Sequence, residues 1–207
     1  MDWTKLTVKE FQNALKSSDP TPGGGTAAAI ALGQAGALSV MVADLTLASD
    51  KYSQGHDVSN EIKQLCNSLI EESDSLAEAD SDAFDAVVQA FKMPKNSEDE
   101  KNSRREQIRN STLGAADIPY KTAVLGLELL KLLPDLAKYG NSNCASDVGV
   151  ASLLASAAVK GALFNVDINL NSLPDDMGTE MRNEAPNLLQ QSRKLSKMCM
   201  DNVRDAL

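Results

Sequence analysis

Most of the chain alternates apolar and polar positions with a helical period, and two stretches do not. Near the start, Val8, Phe11 and Leu15 fall on one helical face. From about 57 to 92, Ile62, Leu65, Leu69, Leu76, Phe84, Val87, Val88 and Phe91 share one side, opposite Glu71, Glu72, Asp74 and Glu78. That pattern predicts amphipathic helices with one solvated face. The exceptions run from Thr26 to Ala43 and from Val148 to Val159, where no charge occurs. A helix that is apolar all round belongs in a core. These two small-residue helices, over 25–49 and 146–168, are therefore expected to form a closely packed central pair wrapped by the acidic helices.

Capping and breaker chemistry marks the boundaries. Thr7-Val-Lys-Glu10 and Ser97-Glu-Asp-Glu100 both have the capping-box spacing that opens a helix. Met93-Pro-Lys-Asn-Ser97 closes the 57–92 helix, and the next is predicted over 97–133. Pro119 removes a backbone donor inside it, so a kink or split is expected there. Pro134 and Tyr139-Gly-Asn-Ser-Asn143 read as a loop, and a last helix starts at Pro174-Asp-Asp176 and runs almost to Leu207, with a break at Pro186. No fixed repeat and no composition shift divides residues 1–207. The expectation is one all-α domain, a bundle of long antiparallel helices around two small-residue core helices, paired with a second copy.

The stretch Pro20-Thr-Pro-Gly-Gly-Gly-Thr26 stands before the first core helix. The prolines stop any preceding helix. The glycines permit a tight turn and close approach of a neighbour. Gly25, Ala29, Gly33 and Ala37 recur every four residues, a flat stripe against which a second helix or a flat ligand should lie.

Composition narrows the function classes. Hydrophobic residues make up 43% but aromatics only 4%, and 29 acids against 20 bases give a formal charge of −9. That balance argues against nucleic acid as a partner, because phosphate binding needs clustered Lys and Arg. Cys66, Cys144 and Cys199 are far apart, with no CxxC pair and no His-Cys cluster. Neither a metal site nor a disulfide framework is indicated, and a reducing cytoplasm is the simplest setting. The N-terminus lacks the basic and apolar regions of a signal peptide. The uncharged span at 26–43 has transmembrane length, yet it holds Gln34 and is flanked by Asp19 and Asp44 rather than basic anchors, so no membrane is expected.

The candidate chemistry lies in scattered polar residues. Gly23, Gly25 and Ala28 satisfy a dinucleotide-type spacing, but no strand precedes them. The glycines read either as a plain turn or as an anion or ligand cradle at a helix N-terminus. His56, the lone histidine, reads as a surface-loop residue, so any general acid or base is sought among carboxylates, lysines, tyrosines or water. Asp80 and Asp82 diverge on their helix; Asp82, Asp85 and Gln89 form either a solvated stripe or a functional one. Asn141, Asn143 and Asp147 suit helix capping as well as a site. Asn165, Asp167, Asn169 and Asn171 follow an apolar run, and a buried amide there needs partners because leaving it unpaired costs about 1–3 kcal/mol.

Three segments, in order, resemble one family. They are Pro20-Thr-Pro-Gly-Gly-Gly-Thr-Ala-Ala-Ala29 continuing to Lys51-Tyr52, then Asp82-Ala-Phe-Asp to Pro94-Lys95, then Gly140-Asn-Ser-Asn-Cys-Ala-Ser-Asp147 running to Asn165-Val-Asp-Ile-Asn169. The likeness is to the cyclodeaminase/cyclohydrolase family of tetrahydrofolate metabolism. It implies an all-helical homodimer without metal or other cofactor, acting on a folate. The leading expectation is closure of 5-formiminotetrahydrofolate to the 5,10-methenyl form with loss of ammonia, the substrate coming from a separate formiminotransferase. The alternatives are hydrolysis of the methenyl form to 10-formyl, and a non-catalytic folate-binding dimer. Under that resemblance Asp147 and Asp82 are the candidate carboxylates and Lys51 their cationic partner. Gly23, Gly24 and Gly25 would admit the pterin or the folate tail, and Asn143, Asn165 and Asn169 would bond the pterin edge or hold the loop. Lys92, Lys95 and Lys121 would meet the glutamate tail.

Overall fold

The computed structural model describes residues 2–207, and both capping boxes form in it as their spacing requires. The Glu10 N–H donates to Thr7 Oγ1 at 3.3 Å while the Thr7 N–H donates to Glu10 Oε2 at 2.8 Å, opening α1 (Val8–Leu15). Ser97 and Glu100 do the same for the helix that follows Pro94. The remaining helices are α2 (Gly24–Leu47), α3 (His56–Lys92), α4 (Glu98–Tyr139), α5 (Ala145–Leu170) and α6 (Thr179–Ala206), and no strand occurs among the described residues.

The long helices pack as layers. α2 lies between α3 and α5, α4 covers α3 and α5, and α6 closes against α4 and α5. α2 and α5 run antiparallel. The N-terminal turn of α2 meets Asn165, and its other end meets the start of α5, where the Asn141 N–H donates to Thr46 Oγ1 at 2.9 Å. Leu32, Val42, Leu129, Leu130, Leu133, Val148, Val159 and Val166 are fully buried in the core between them. Both small-residue helices are long and apolar enough to cross a membrane by composition alone, yet over half of the most apolar window of each is packed inside this fold.

The small-residue stripe of α2 admits a helix, and that helix is α3. A Cβ at Gly25 would stand 2.2 Å from Asp80 Oδ1, and one at Gly33 would stand 2.6 Å from Ser73 Oγ. Gly36 has the same relation to Leu69. Ala37, the fourth member of the predicted row, is exposed instead. α5 approaches α2 less closely, at ordinary contact between Gly161 and Ala28.

The split expected at Pro119, the loop at Pro134 and the break at Pro186 do not occur. α4 runs unbroken for 42 residues through Pro119 and Pro134, and α6 continues through Pro186. At Pro119 the reason is visible. Proline has no N–H for the carbonyl four residues back, and that carbonyl, Ala115 O, instead accepts the Asn169 Nδ2–H of α5 at 2.9 Å. Near Pro134, α6 ties the chain down: the Asn202 amide donates to the Pro134 carbonyl at 2.8 Å and the Cys199 thiol faces the Leu133 carbonyl. The loop expected from Pro134 onward is thus helix as far as Tyr139. The last helix begins at Thr179 rather than Pro174, after Gly178 at φ 67°. Its Arg182 turns back onto the C-terminal carbonyls of α5, with Nη2 donating to Leu170 O at 2.6 Å.

Replacing Asn169 by leucine should expose the proline defect. In urea unfolding, Asn169→Leu is expected to cost about 1–3 kcal/mol, the penalty of a buried orphan carbonyl. In a Pro119→Ala background, where an alanine N–H can bond Ala115 O, the same change should cost much less. Equal costs in both backgrounds would refute the substitution of one donor for the other.

Candidate functional site

The turn before α2 ends on Gly23, an N-cap with no side chain to satisfy the first-turn N–H groups. A carboxylate from another helix fills that place. Asp80, on α3, accepts the Thr26 hydroxyl at 3.0 Å, and the Thr26 backbone N–H also bonds it. Burial pushes the Asp80 carboxyl above the usual carboxylate range, while the two Thr26 donors pull it down and only partly compensate. The carboxylate lies on one side of a cavity of about 250 Å³ floored by Gly23, Gly24 and Gly25 and walled by Phe84, Val87, Ala115 and Ile168.

Two amides complete the lining. Asn165 donates its Nδ2–H to Gly161 O at 2.9 Å, as Asn169 does to Ala115 O. Each amide keeps its oxygen and one further N–H for a ligand. Among the described residues lining the cavity, Asp80 is the only charged one. A carboxylate and two amides on one side, first-turn N–H groups at Gly24 and Gly25 on the floor, and apolar walls suit a flat heterocycle with donors along one edge and a carbonyl on another. At 250 Å³ the cavity takes a ring system rather than a whole extended ligand.

The structure brings together only part of the residues singled out from sequence. Gly23, Gly24, Gly25, Asn165 and Asn169 meet here. Asp82 is exposed and faces away; the acid at the cavity is Asp80. A signal for it existed, because Asp80 continues the buried row Ile62, Cys66, Leu69, Ser73 and Leu76 at helical spacing. Asp147, Lys51 and Asn143 lie at the opposite end of the α2/α5 pair, about 35 Å away by the rise of a 24-residue helix. There the Lys51 ammonium sits 5.0 Å from the Tyr52 ring centre, and Asn143 is exposed with its N–H on Asn141 Oδ1. Hydrogen bonds from Ser142 first and Lys51 second lower the Tyr52 phenol below its usual range. His56, the first residue of α3, is half-buried with its ring 3.3 Å from the Ser49 carbonyl.

Of the three lysines, Lys95 lines a basic groove of about 400 Å³ with Lys101, Arg104, Arg105 and Arg109. This groove adjoins the cavity, since Ser172 in its wall lies one turn beyond Asn169, and Arg104 stacks 5.5 Å over the ring of Phe91 on the same helix as Phe84 and Val87. Lys92 is exposed at the end of α3. Lys121 belongs to a different and larger groove of about 930 Å³ between α3, α4 and the start of α6, where it pairs with Asp117 at 2.6 Å. The surface of that groove is mostly apolar, and the one cation among the described residues lining it, Lys121, is paired with Asp117. The smaller cavity, where a carboxylate, two amides and the glycine turn converge, is the better candidate.

Residues 7–187 match the formiminotransferase-cyclodeaminase family. The chain belongs to that family. A methenyltetrahydrofolate cyclohydrolase of Methylorubrum extorquens is 35% identical, the match covering 96% of each chain. The rat formimidoyltransferase-cyclodeaminase is 29% identical over 95% of this chain but only 37% of its own length. Among solved structures, formiminotetrahydrofolate cyclodeaminase of Thermotoga maritima matches with a TM-score of 0.79 and 28% identity, over 99% of this chain and 96% of that one. The all-α expectation is met, and the protein is an enzyme of folate one-carbon chemistry, of the cyclohydrolase/cyclodeaminase type.

The environment of Asp80 carries a pH signature. Its folded-state pKa lies above the ordinary 3.8, so the folded protein holds this proton more tightly than the unfolded chain. The associated stability is present at low pH and is lost as pH rises through the raised value. Asp80→Asn removes that component and keeps an acceptor for Thr26. The stability of the variant relative to the wild type should therefore rise between pH 3 and neutrality in urea titrations. A difference that stays flat or falls would contradict the burial of this carboxyl.

Proposed function

We propose that the protein hydrolyses 5,10-methenyltetrahydrofolate to the 10-formyl form, with Asp80 as its acid–base group. The observation that carries this reading is the half-buried Asp80 carboxylate facing a ring-sized cavity beside two amides. The substrate carries an amidinium-like cation at the carbon between N5 and N10. A carboxylate beside it offsets that charge, takes a proton from the attacking water, and returns it to N5 as the carbon–N5 bond breaks. One water is consumed and one proton released overall. A carboxyl held above its ordinary range suits both halves of that transfer. The 35% likeness to a methenyltetrahydrofolate cyclohydrolase, over 96% of each chain, supports this reaction.

The second reading, cyclodeamination of 5-formiminotetrahydrofolate, is favoured by the likeness to the Thermotoga maritima enzyme. The same carbon is attacked, by N10 in place of water, and the protonated Asp80 carboxyl serves the departing ammonia. A separate formiminotransferase would supply that substrate. In either case the tail carboxylates of the folate extend onto Lys95, Arg105 and Arg109. Three buried thiols fit a cytoplasmic setting.

A homodimer completes the reading. Met41 and Leu45 of α2 and Val150, Leu153, Phe164 and Ile168 of α5 are exposed on adjacent helices, Ile168 by 72%. Antiparallel pairing of two copies through that face would set the Asp147 and Lys51 end of one against the glycine turn of the other. It would give those residues a place in the site that one chain alone denies them.

Absorbance of the methenyl chromophore separates the reactions. Accelerated loss from the methenyl form is expected, with Asp80→Asn lowering kcat about 100-fold or more while folate still binds in calorimetry. Appearance of the chromophore from the formimino substrate would favour the second reading; folate binding with neither reaction accelerated would leave a non-catalytic dimer. In light scattering, Leu153→Glu should convert a dimer to a monomer, and a wild type already monomeric at micromolar concentration would refute the proposed interface.

A further inference from the structure

Trp3, buried beneath the N-terminal turn, begins a chain of hydrogen bonds that ends on the Asp80 carboxylate. Its indole Nε1–H donates to Ser81 Oγ at 2.9 Å, Ser81 Oγ lies 3.2 Å from Thr26 Oγ1, and Thr26 Oγ1 donates to Asp80 Oδ2 at 3.0 Å. Ser81 is 4% exposed and Thr26 fully buried, so water does not compete for these groups.

The polarity of the chain follows from what each group can do. An indole nitrogen only donates, and an ionised carboxylate only accepts. Ser81 therefore accepts from Trp3, and its own proton points to Thr26. Thr26 accepts that proton and aims its own at Asp80. Either hydroxyl alone could turn the other way; the two ends of the chain forbid it. Serial donation also strengthens each bond by polarisation in a site of low dielectric.

We infer that Trp3 is a positioning residue for Asp80: its indole N–H fixes the direction of every proton in the relay and so keeps the Thr26 hydroxyl aimed at Oδ2. The inference rests on Asp80 as the acid–base group proposed above. It gives the N-terminal turn a duty in the site although no atom of it lines the cavity. Other charges near the relay are accounted for. Asp2 and Lys5 of the N-terminal turn pair with each other, Glu78 on α3 shares a hydrogen bond with Asp2, Asp74 on α3 lines a groove with Trp3 and feels the Asp2 charge, and Asp82 on α3 is exposed. α2 presents only glycines and Thr26, α4 presents Ala115, and α5 presents Asn165, Ile168 and Asn169.

The test is a carboxyl ¹³C NMR titration of Asp80 in the ligand-free, full-length protein, compared among wild type, Trp3→Phe and Ser81→Ala. Phenylalanine keeps most of the buried ring and deletes the donor; the serine change breaks the relay from the middle and serves if Trp3→Phe fails to fold. Both variants are expected to move the titration upward, by about half a pH unit, as the carboxylate loses part of its donation. The acid limb of the kcat/KM profile should move by the same amount. Folded variants in which Asp80 titrates as in the wild type would overturn the relay, even if activity fell through general loss of packing. The NMR readout needs no substrate. It therefore decides this inference even if the protein proves to catalyse neither folate reaction.

Discussion

A carboxylate from one helix closing the N-terminus of another is the interaction on which the rest of this structure depends. Asp80 of α3 sits where the first-turn N–H groups and dipole of α2 favour negative charge, an effect worth about 0.3–1 kcal/mol at an exposed helix end and up to ~2 kcal/mol when partly buried. Hydrogen bonds to a charged group add roughly 1.5–3 kcal/mol each. Set against these is the cost of removing a carboxylate from water, and here the cost wins: the carboxyl remains above its ordinary range. The result is a group firmly located and yet able to hold a proton. Gly25 follows from it directly, since a side chain there would occupy the carboxylate's own space. So do the close approach of α3 to α2 and the buried hydroxyl of Thr26.

The same economy of donors recurs on the other side of the cavity. Pro119 deprives Ala115 of its helical partner, and the amide that replaces it comes from Asn169, which also lines the cavity. A defect in α4 thereby orients a side chain of α5 that lines the site. Asn165 is held in the same manner by a carbonyl of its own helix. Asp80 and the two amides are each fixed by a bond made elsewhere, which is how a site on rigid helices keeps its geometry without a bound partner.

Much of the helical order was legible in the sequence, because capping boxes, glycines and apolar periodicity are local signals. Helix α3 was expected over 57–92 and begins one residue earlier. What escaped were features decided by distant partners. The continuity of α4 through Pro119 depends on a residue 50 positions later, and no local rule announces it. Asp82 stands in the family-like segment and so reads as the candidate acid, whereas the place of Asp80 in the buried row of α3 marks it as the one at the cavity. The glycines, Asn165 and Asn169 line one cavity, whereas Asp147, Lys51 and Asn143 stand at the far end of an antiparallel pair. Motifs that adjoin in a family likeness need not adjoin in one chain.

The central claim is that the glycine turn, Asp80 and the two asparagines form the folate ring site. A crystal structure with 5-formyltetrahydrofolate, which carries a one-carbon group on N5, tests it most directly. The ring system is expected in the cavity between the α2 N-terminus and α5, with Asp80 within hydrogen-bond distance of it and the tail directed toward Arg105 and Arg109. A ligand found instead in the large groove beside Tyr120 and Lys121, with the glycine turn untouched, would contradict the account.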